Sequence, residues 1–256
     1  MNPKHFLKTA AGVALALTTS VATVFADEQP KAFLKTEHFD RDPGWESRNN
    51  RTVPASVDAV TQNFGWSNTK FASKTAGEIG GTLWRASHPA WYAEKISPKT
   101  FDDKLSASGT FAITDKGSSA VILGWFKSGT GNAAPDQAGS LLGVRVAGPS
   151  RVGHYFAPSF TTAKGTARTA GKGPVLIPGR AYDWTMTHDP LTNGSLGSIR
   201  VTLDGEAFTF DLKRGDRAQG GQFDRFGLFS IHNDGGHAPV KIWFDDLKYS
   251  ASPVVP

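Results

Sequence analysis

The chain has 256 residues, with 28 Lys and Arg against 23 Asp and Glu, 28 Gly, seven Trp and no Cys. That length suits one large all-β domain or two small ones, and the lack of cysteine excludes a disulfide framework and thiol catalysis. A formal charge of +5 without a Lys/Arg cluster argues against a nucleic-acid partner.

The N-terminus reads as a signal peptide over residues 1–26. Lys4 and Lys8 precede an uncharged run from Thr9 to Val24, and Val24-Phe25-Ala26 places small or medium residues where a signal peptidase cuts. Cleavage after Ala26 takes away two lysines and no acid, lowering the formal charge from +5 to +3. No later stretch is apolar enough to span a membrane, so the expected product is an exported bacterial protein, periplasmic or extracellular. Residues 27–256 read as a single β-sandwich domain.

Residues 27–30 are polar, and Ala32 to Phe39 forms a first strand anchored by Phe33 and Phe39. Asp40 to Arg51 has no period, is broken by Pro43 and Gly44, and is rich in hydrogen-bonding groups. Gln62 to Ser73 mixes aromatic and amide groups. Glu78 to Arg85 reads as a strand whose glycines permit close packing, and Pro89 to Ile96 as a short helix or an edge segment. Leu105, Ala107, Gly109, Phe111 and Ile113 alternate with polar residues, the mark of a half-buried strand.

Val121 to Phe126 is apolar throughout, which suits a central strand buried on both sides. After a Gly/Ala/Pro/Asp loop at 129–139 come strands at Leu141–Val146 and Gly153–Phe160, the latter with His154 and Phe156 on one face and Tyr155 on the other. Tyr182, Trp184 and Met186, then Ile199, Val201 and Leu203, then Phe208, Phe210 and Leu212 form an antiparallel meander turned at Asn193-Gly194 and Asp204-Gly205. Strands at Phe226–Ile231 and Val240–Tyr249 close the chain. A meander cannot bury its apolar face alone, so about a dozen short strands with almost no helical periodicity predict an all-β sandwich of two antiparallel sheets.

Ile177-Pro178-Gly179 followed by Tyr182-Asp183-Trp184, the Asn193-Gly194 turn, Ile199 to Gly205 and the closing Trp243-Phe244-Asp245-Asp246-Leu247 resemble the concanavalin A-like, laminin-G-type jelly roll. Phe39 to Arg51 and Lys104 to Gly109 are similar to stretches of uncharacterised exported bacterial members of that superfamily. The resemblance implies a jelly roll with a concave sheet face. Lectins, binding modules, glycosidases and lyases all use that fold, so activity has to be argued from the site.

A sugar polymer on such a face needs aromatic platforms and planar hydrogen-bonding groups. Of the tryptophans, Trp45, Trp91 and Trp125 are the expected platforms, with Arg48, Asn49, Arg51, Gln62, Arg145 and His154 as polar partners. The leading expectation is an exported glycan-binding protein whose partner is a polysaccharide. Hydrolysis is an alternative, and it needs two carboxyl groups about 5 to 10 Å apart. The chain lacks the Glu-x-Asp-x-x-Glu strand of family-16 glycosidases, which leaves Glu46 and Glu78 as the pair.

Elimination from an acidic polysaccharide instead needs a cation or amide on the uronate and a Tyr or His base, for which Arg48, His154 and Tyr155 are the candidates. Gly124-Trp125-Phe126-Lys127 resembles the Tyr-Phe-Lys strand of alginate-lyase jelly rolls, without their Gln-Ile-His or Arg-x-Glu-x-Arg patterns. A structural or adhesion domain is the third class. His232 and His237 flank a glycine loop at a spacing that makes a plain turn. The resemblance further implies one structural calcium ion at Asp245, with Asp40 or Asp42 brought near by pairing of the first and last strands.

Overall fold

A computed structural model describes residues 33–53, 62–85, 88–115, 117, 119–128, 140–150, 153–170, 174–230 and 238–251. The signal-peptide segment, the loop at 129–139 and both histidines of the 232–237 turn lie outside these residues. The described residues fall within one compact unit, Ala32–Pro256. In chain order the strands are β1 (Leu34–Glu37), β2 (Glu46–Arg48), β3 (Asn63–Ser67), β4 (Glu78–Leu83), β5 (Trp91–Lys99), β6 (Leu105–Ile113), β7 (Ala120–Phe126) and β8 (Leu141–Ser150). They continue with β9 (Gly153–Thr161), β10 (Ala167–Thr169), β11 (Ala181–Asp189), β12 (Ser198–Leu203), β13 (Glu206–Asp211), β14 (Phe223–Ser230) and β15 (Val240–Ser250).

The strands pair antiparallel into two sheets. The first runs β13-β12-β11-β6-β15-β4-β3, with β1 on β15, and the second runs β10-β9-β8-β7-β14-β5-β2. This is the two-sheet sandwich that the alternation predicted and the jelly roll that the resemblance implied. The β11–β12–β13 meander forms one end of the first sheet, and Asn193 and Gly194 take the positive φ of 52° and 62° expected of the turn. The segment from Pro89 is neither helix nor edge: β5 sits between β14 and β2.

The two inner faces interlock through aromatic rings. Phe111 of the first sheet lies 5.4 Å from Phe156 of the second, and Tyr249 stacks on Phe226 at 3.9 Å. The Trp125 indole N–H donates to Ser250 O at 3.0 Å, tying the sheets with a polar bond inside the core. Midway along β15 a bulge at Asp245–Asp246, where Asp246 has φ 51°, changes the parity of the strand. Phe244 before it and Leu247 after it therefore both point inward, and Asp245 points to the outer face.

The second sheet differs from the first in what it carries outside. Trp91, Ala93, Ala120, Ile122, Phe126, Leu141 and Phe229 form a second apolar cluster, separate from the core between the sheets. This is why Val121 to Phe126 is apolar on both faces: odd positions meet the first sheet, even positions this cluster.

Candidate functional site

The outer face of the second sheet is built in transverse rows by its register. One row runs Arg48, Trp91, Phe229, Ile122, Arg145 and Ala157 across β2, β5, β14, β7, β8 and β9. At a strand spacing of about 4.8 Å, the four intervals from Arg48 to Arg145 span about 19 Å. The next row is Glu46, Ala93, Gly227, Gly124, Gly143 and Ser159, almost free of side chains. The third is Lys95, Arg225, Phe126 and Leu141.

The glycine row is a steric requirement. A Cβ on Gly124 would stand 2.3 Å from Leu142 O and 2.5 Å from Gly143 Cα. Rings from the flanking rows meet across it: the Phe126 ring lies 5.0 Å from Phe229 and 6.1 Å from Trp91. The result is a closed apolar floor with charged groups along its rim. Arg48, Arg145 and Tyr155 are half-buried there, and Glu46 and Lys95 are exposed.

Five of the residues read from the sequence thus share one face: Glu46, Arg48, Trp91, Arg145 and Tyr155. Trp91 keeps only 8% of its surface accessible and is floor rather than an open stacking platform. The other aromatic candidates point elsewhere. Trp125 is fully buried between the sheets, and Trp45 is core, wedged against Phe39, Tyr92 and Tyr249. Both are large apolar groups on inward positions, where burial outweighs display.

The amide candidates hold the backbone. Gln62 is buried, donating to Trp84 O at 2.9 Å and accepting from Trp84 N at 2.8 Å, so its side chain stands in for a strand partner. Asn49 Nδ2 donates to Pro89 O at 2.9 Å. Arg51 leaves the face altogether: its Nη2 donates to Gly80 O of the first sheet at 3.1 Å.

Glu46 and Glu78 do not converge, because they stand on the outer surfaces of different sheets. Glu78 is buried and accepts the N–H groups of Phe71 and Ala72, at 2.9 and 2.8 Å, so it fastens a loop onto the first sheet. His154 and Tyr155 are consecutive on β9 and face opposite ways. His154 is buried, and burial lowers its pKa below the usual imidazole value. It cannot reach a ligand on the face that Tyr155 occupies.

Asp245 is buried on the outer side of the first sheet, where it accepts the Ser73 hydroxyl and, at 2.7 Å, the Asp246 N–H. Desolvation, reinforced by neighbouring Asp246 and Glu78, raises its pKa to about 6. Asp40 is exposed and lines a hollow of about 600 Å³ with His38, Ser73, Thr75 and Asp246, not Asp245. Among the described residues no group of three or more His, Asp or Glu gathers to hold an ion. An ion at Asp245 would have to compete with the Ser73 hydroxyl for the carboxylate.

Arg225 is the residue that the sequence reading missed. It is 9% exposed, its guanidinium lies 5.8 Å from the centroid of the Trp91 ring, and it donates to Glu46 through Nη2 at 2.6 Å and Nε at 3.1 Å. The pairing of β14 with β5 shifts between Phe223 and Arg225, so alternation counted from Phe223 misplaces the arginine. Counted back from Phe226, Arg225 falls on the outer face.

No family model matches the chain, and no curated protein matches it by sequence. Solved structures match it in shape. An endo-β-1,4-glucuronan lyase from the fungus Trichoderma reesei aligns over 86% of this chain and 95% of its own, at 10% identity and a TM-score of 0.52. A carbohydrate-binding module from Bacillus subtilis covers 73% and 92% at 13% identity with a TM-score of 0.41, and an alginate lyase from Chlorella virus 73% and 89% at 8% with 0.44. Identity this low speaks to architecture alone. The chain has the fold of a concanavalin A-like jelly roll.

Proposed function

We propose that this is an exported glycan-binding protein whose site is the outer face of the second sheet. The observation that carries the reading is the transverse row in which register sets Arg48, Trp91 and Arg145 on one surface, about 19 Å from end to end. Groups more than ninety residues apart in sequence meet over an apolar floor, with forked donors at both ends and Tyr155 two positions from the Arg145 partner. Apolar surface with a few placed polar groups is the usual make-up of a ligand site. Glucuronan lyase, of this architecture, acts on a carbohydrate by its name, which agrees with the reading.

A polysaccharide lyase is the second reading, favoured by Tyr155 standing on the same face as Arg145 and Arg48. A glycan array of the mature protein, run with an ultraviolet screen for unsaturated products across plant and marine polysaccharides, separates the two. Retention of a polysaccharide without new absorbance supports binding, absorbance supports elimination, and retention of nothing overturns both. Export is tested by recovering the chain without residues 1–26 from the periplasm or medium; an uncleaved cytoplasmic product would refute it.

A further inference from the structure

Resting on the reading of this face as a glycan site, we propose that its ligand is an anionic polysaccharide and that Arg225 is the subsite for the acid group, which Glu46 occupies in the free protein. Four observations lead there. First, Arg225 and Lys95 are directly opposed across β14 and β5 and share the face. Like charges in that position repel, so the pair calls for an anion. Second, neither the Lys95 nor the Arg48 side chain has a hydrogen bond or ion pair among the described residues.

Third, the carboxylates near these cations are few. Among the described residues Glu46 is one; the other is Asp224, which Ser128 N and Lys127 Nζ hold at 2.7 and 3.2 Å and which lies 3.7 Å from Arg225 Nη1. Fourth, both N–H groups that Arg225 sends to Glu46 fall on one oxygen, Oε2. A guanidinium fork is best matched by two parallel bonds to two oxygens of a carboxylate or sulfate. Glu46 supplies half of that match from a three-residue edge strand, with 47% of its side chain exposed. Only the Glu46 end of this part-buried pair faces solvent, so it is the end that can be exchanged. The Arg225 side is different: it is fixed over Trp91, and its Nη1 donates to Asp224 O at 2.8 Å.

A polymer acid group entering from solvent thus meets a preset donor fork, flanked by Lys95 and Arg48, in place of a loosely held glutamate. The competing view is that Glu46–Arg225 only fastens β2 to the sheet. The two views predict opposite results for Glu46→Gln. In the displacement view, removing the internal competitor tightens anionic-polymer binding by about two- to fivefold. In the fastening view, it lowers the melting temperature and leaves affinity unchanged or weaker.

The test is affinity electrophoresis and calorimetry of the mature protein with polyuronate, sulfated polysaccharide, neutral glucan and inorganic polyphosphate, at two salt concentrations. The parent is expected to retain the polyuronate or the sulfated polymer over the neutral one, the two acidic polymers telling carboxylate from sulfate. Arg225→Gln and Lys95→Gln should weaken binding and flatten its salt dependence, with melting curves showing both variants folded. Equal retention of neutral and acidic polymers, polyphosphate bound as tightly as either acidic polymer, or an unchanged affinity in Glu46→Gln overturns this inference while leaving glycan binding in place. Retention of no glycan by the parent overturns both.

Discussion

Asp245→Asn should make the protein more stable at neutral pH. Asp245 lies under the loop that runs from Phe71 to Thr75, pinned on one side by the Phe71 ring 5.0 Å from Trp243 and on the other by the two N–H groups on Glu78. Desolvation is the leading cause that raises its pKa from 3.8 to about 6. The folded state therefore holds this proton more tightly than the unfolded chain. Stability is highest below the unfolded pKa, falls as pH climbs towards about 6, and stays low above it, by at most about 3 kcal/mol. Asparagine is neutral throughout, and its carbonyl can still accept the Asp246 N–H.

The variant and parent should match near pH 4 and diverge towards pH 7.5, where the gain of up to about 3 kcal/mol corresponds to roughly 6–12 °C in melting temperature. Circular-dichroism melts of both proteins across that range give the difference directly, and titrations common to both cancel. A difference independent of pH, or a less stable variant at neutral pH, refutes the reasoning.

Trp125→Ala opens a cavity in the core between the sheets and removes the bond to Ser250 O, so it should cost about 3–5 kcal/mol in urea unfolding; a loss below about 1 kcal/mol would contradict its placement. Burial depresses the pKa of both His154 and His188, so the fold keeps them neutral and loses stability as pH drops below the unfolded value of 6.5. In the Asp245→Asn background, where the opposing carboxyl is gone, melts should show that loss, and His188→Asn should lessen it. Calcium at Asp245 would have to displace the Ser73 hydroxyl; a rise in melting temperature with millimolar calcium, reversed by chelator, supports the site implied by the resemblance, and no change with excess chelator removes it.

Most of the architecture was legible because period two is local. Tyr182, Trp184 and Met186 announce an inward face without reference to any other strand, and the wholly apolar Val121–Phe126 announces a strand covered on both sides. The site was half legible for the same reason. Alternation puts His154 and Tyr155 on opposite faces, yet it does not say which face looks outward, and that choice placed Tyr155 on the rim and His154 in the core. Trp45 and Trp125 misled because a tryptophan has the same chemistry in a core as on a platform.

Glu46 and Glu78 each point out of a sheet, but that they belong to different sheets depends on pairings with β5 and β3 that no local pattern encodes. The amides of Gln62 and Asn49 look like ligand groups in sequence; only the chain crossing beside them shows that they cap backbone atoms. Arg225 lies one position before the strand read from Phe226, so the reading left it out, and the register shift at Phe223–Arg225 hid that the strand begins earlier.

The central claim is that ligand meets the outer face of the second sheet. It is tested most directly by comparing an Arg48→Ala/Arg145→Ala double variant with Arg200→Ala, whose exposed side chain stands on the outer face of the first sheet, on the same glycan array. The account predicts that the double variant, still folded by its melting curve, loses retention while Arg200→Ala keeps it. Undiminished retention by the double variant, or loss only with Arg200→Ala, would contradict it.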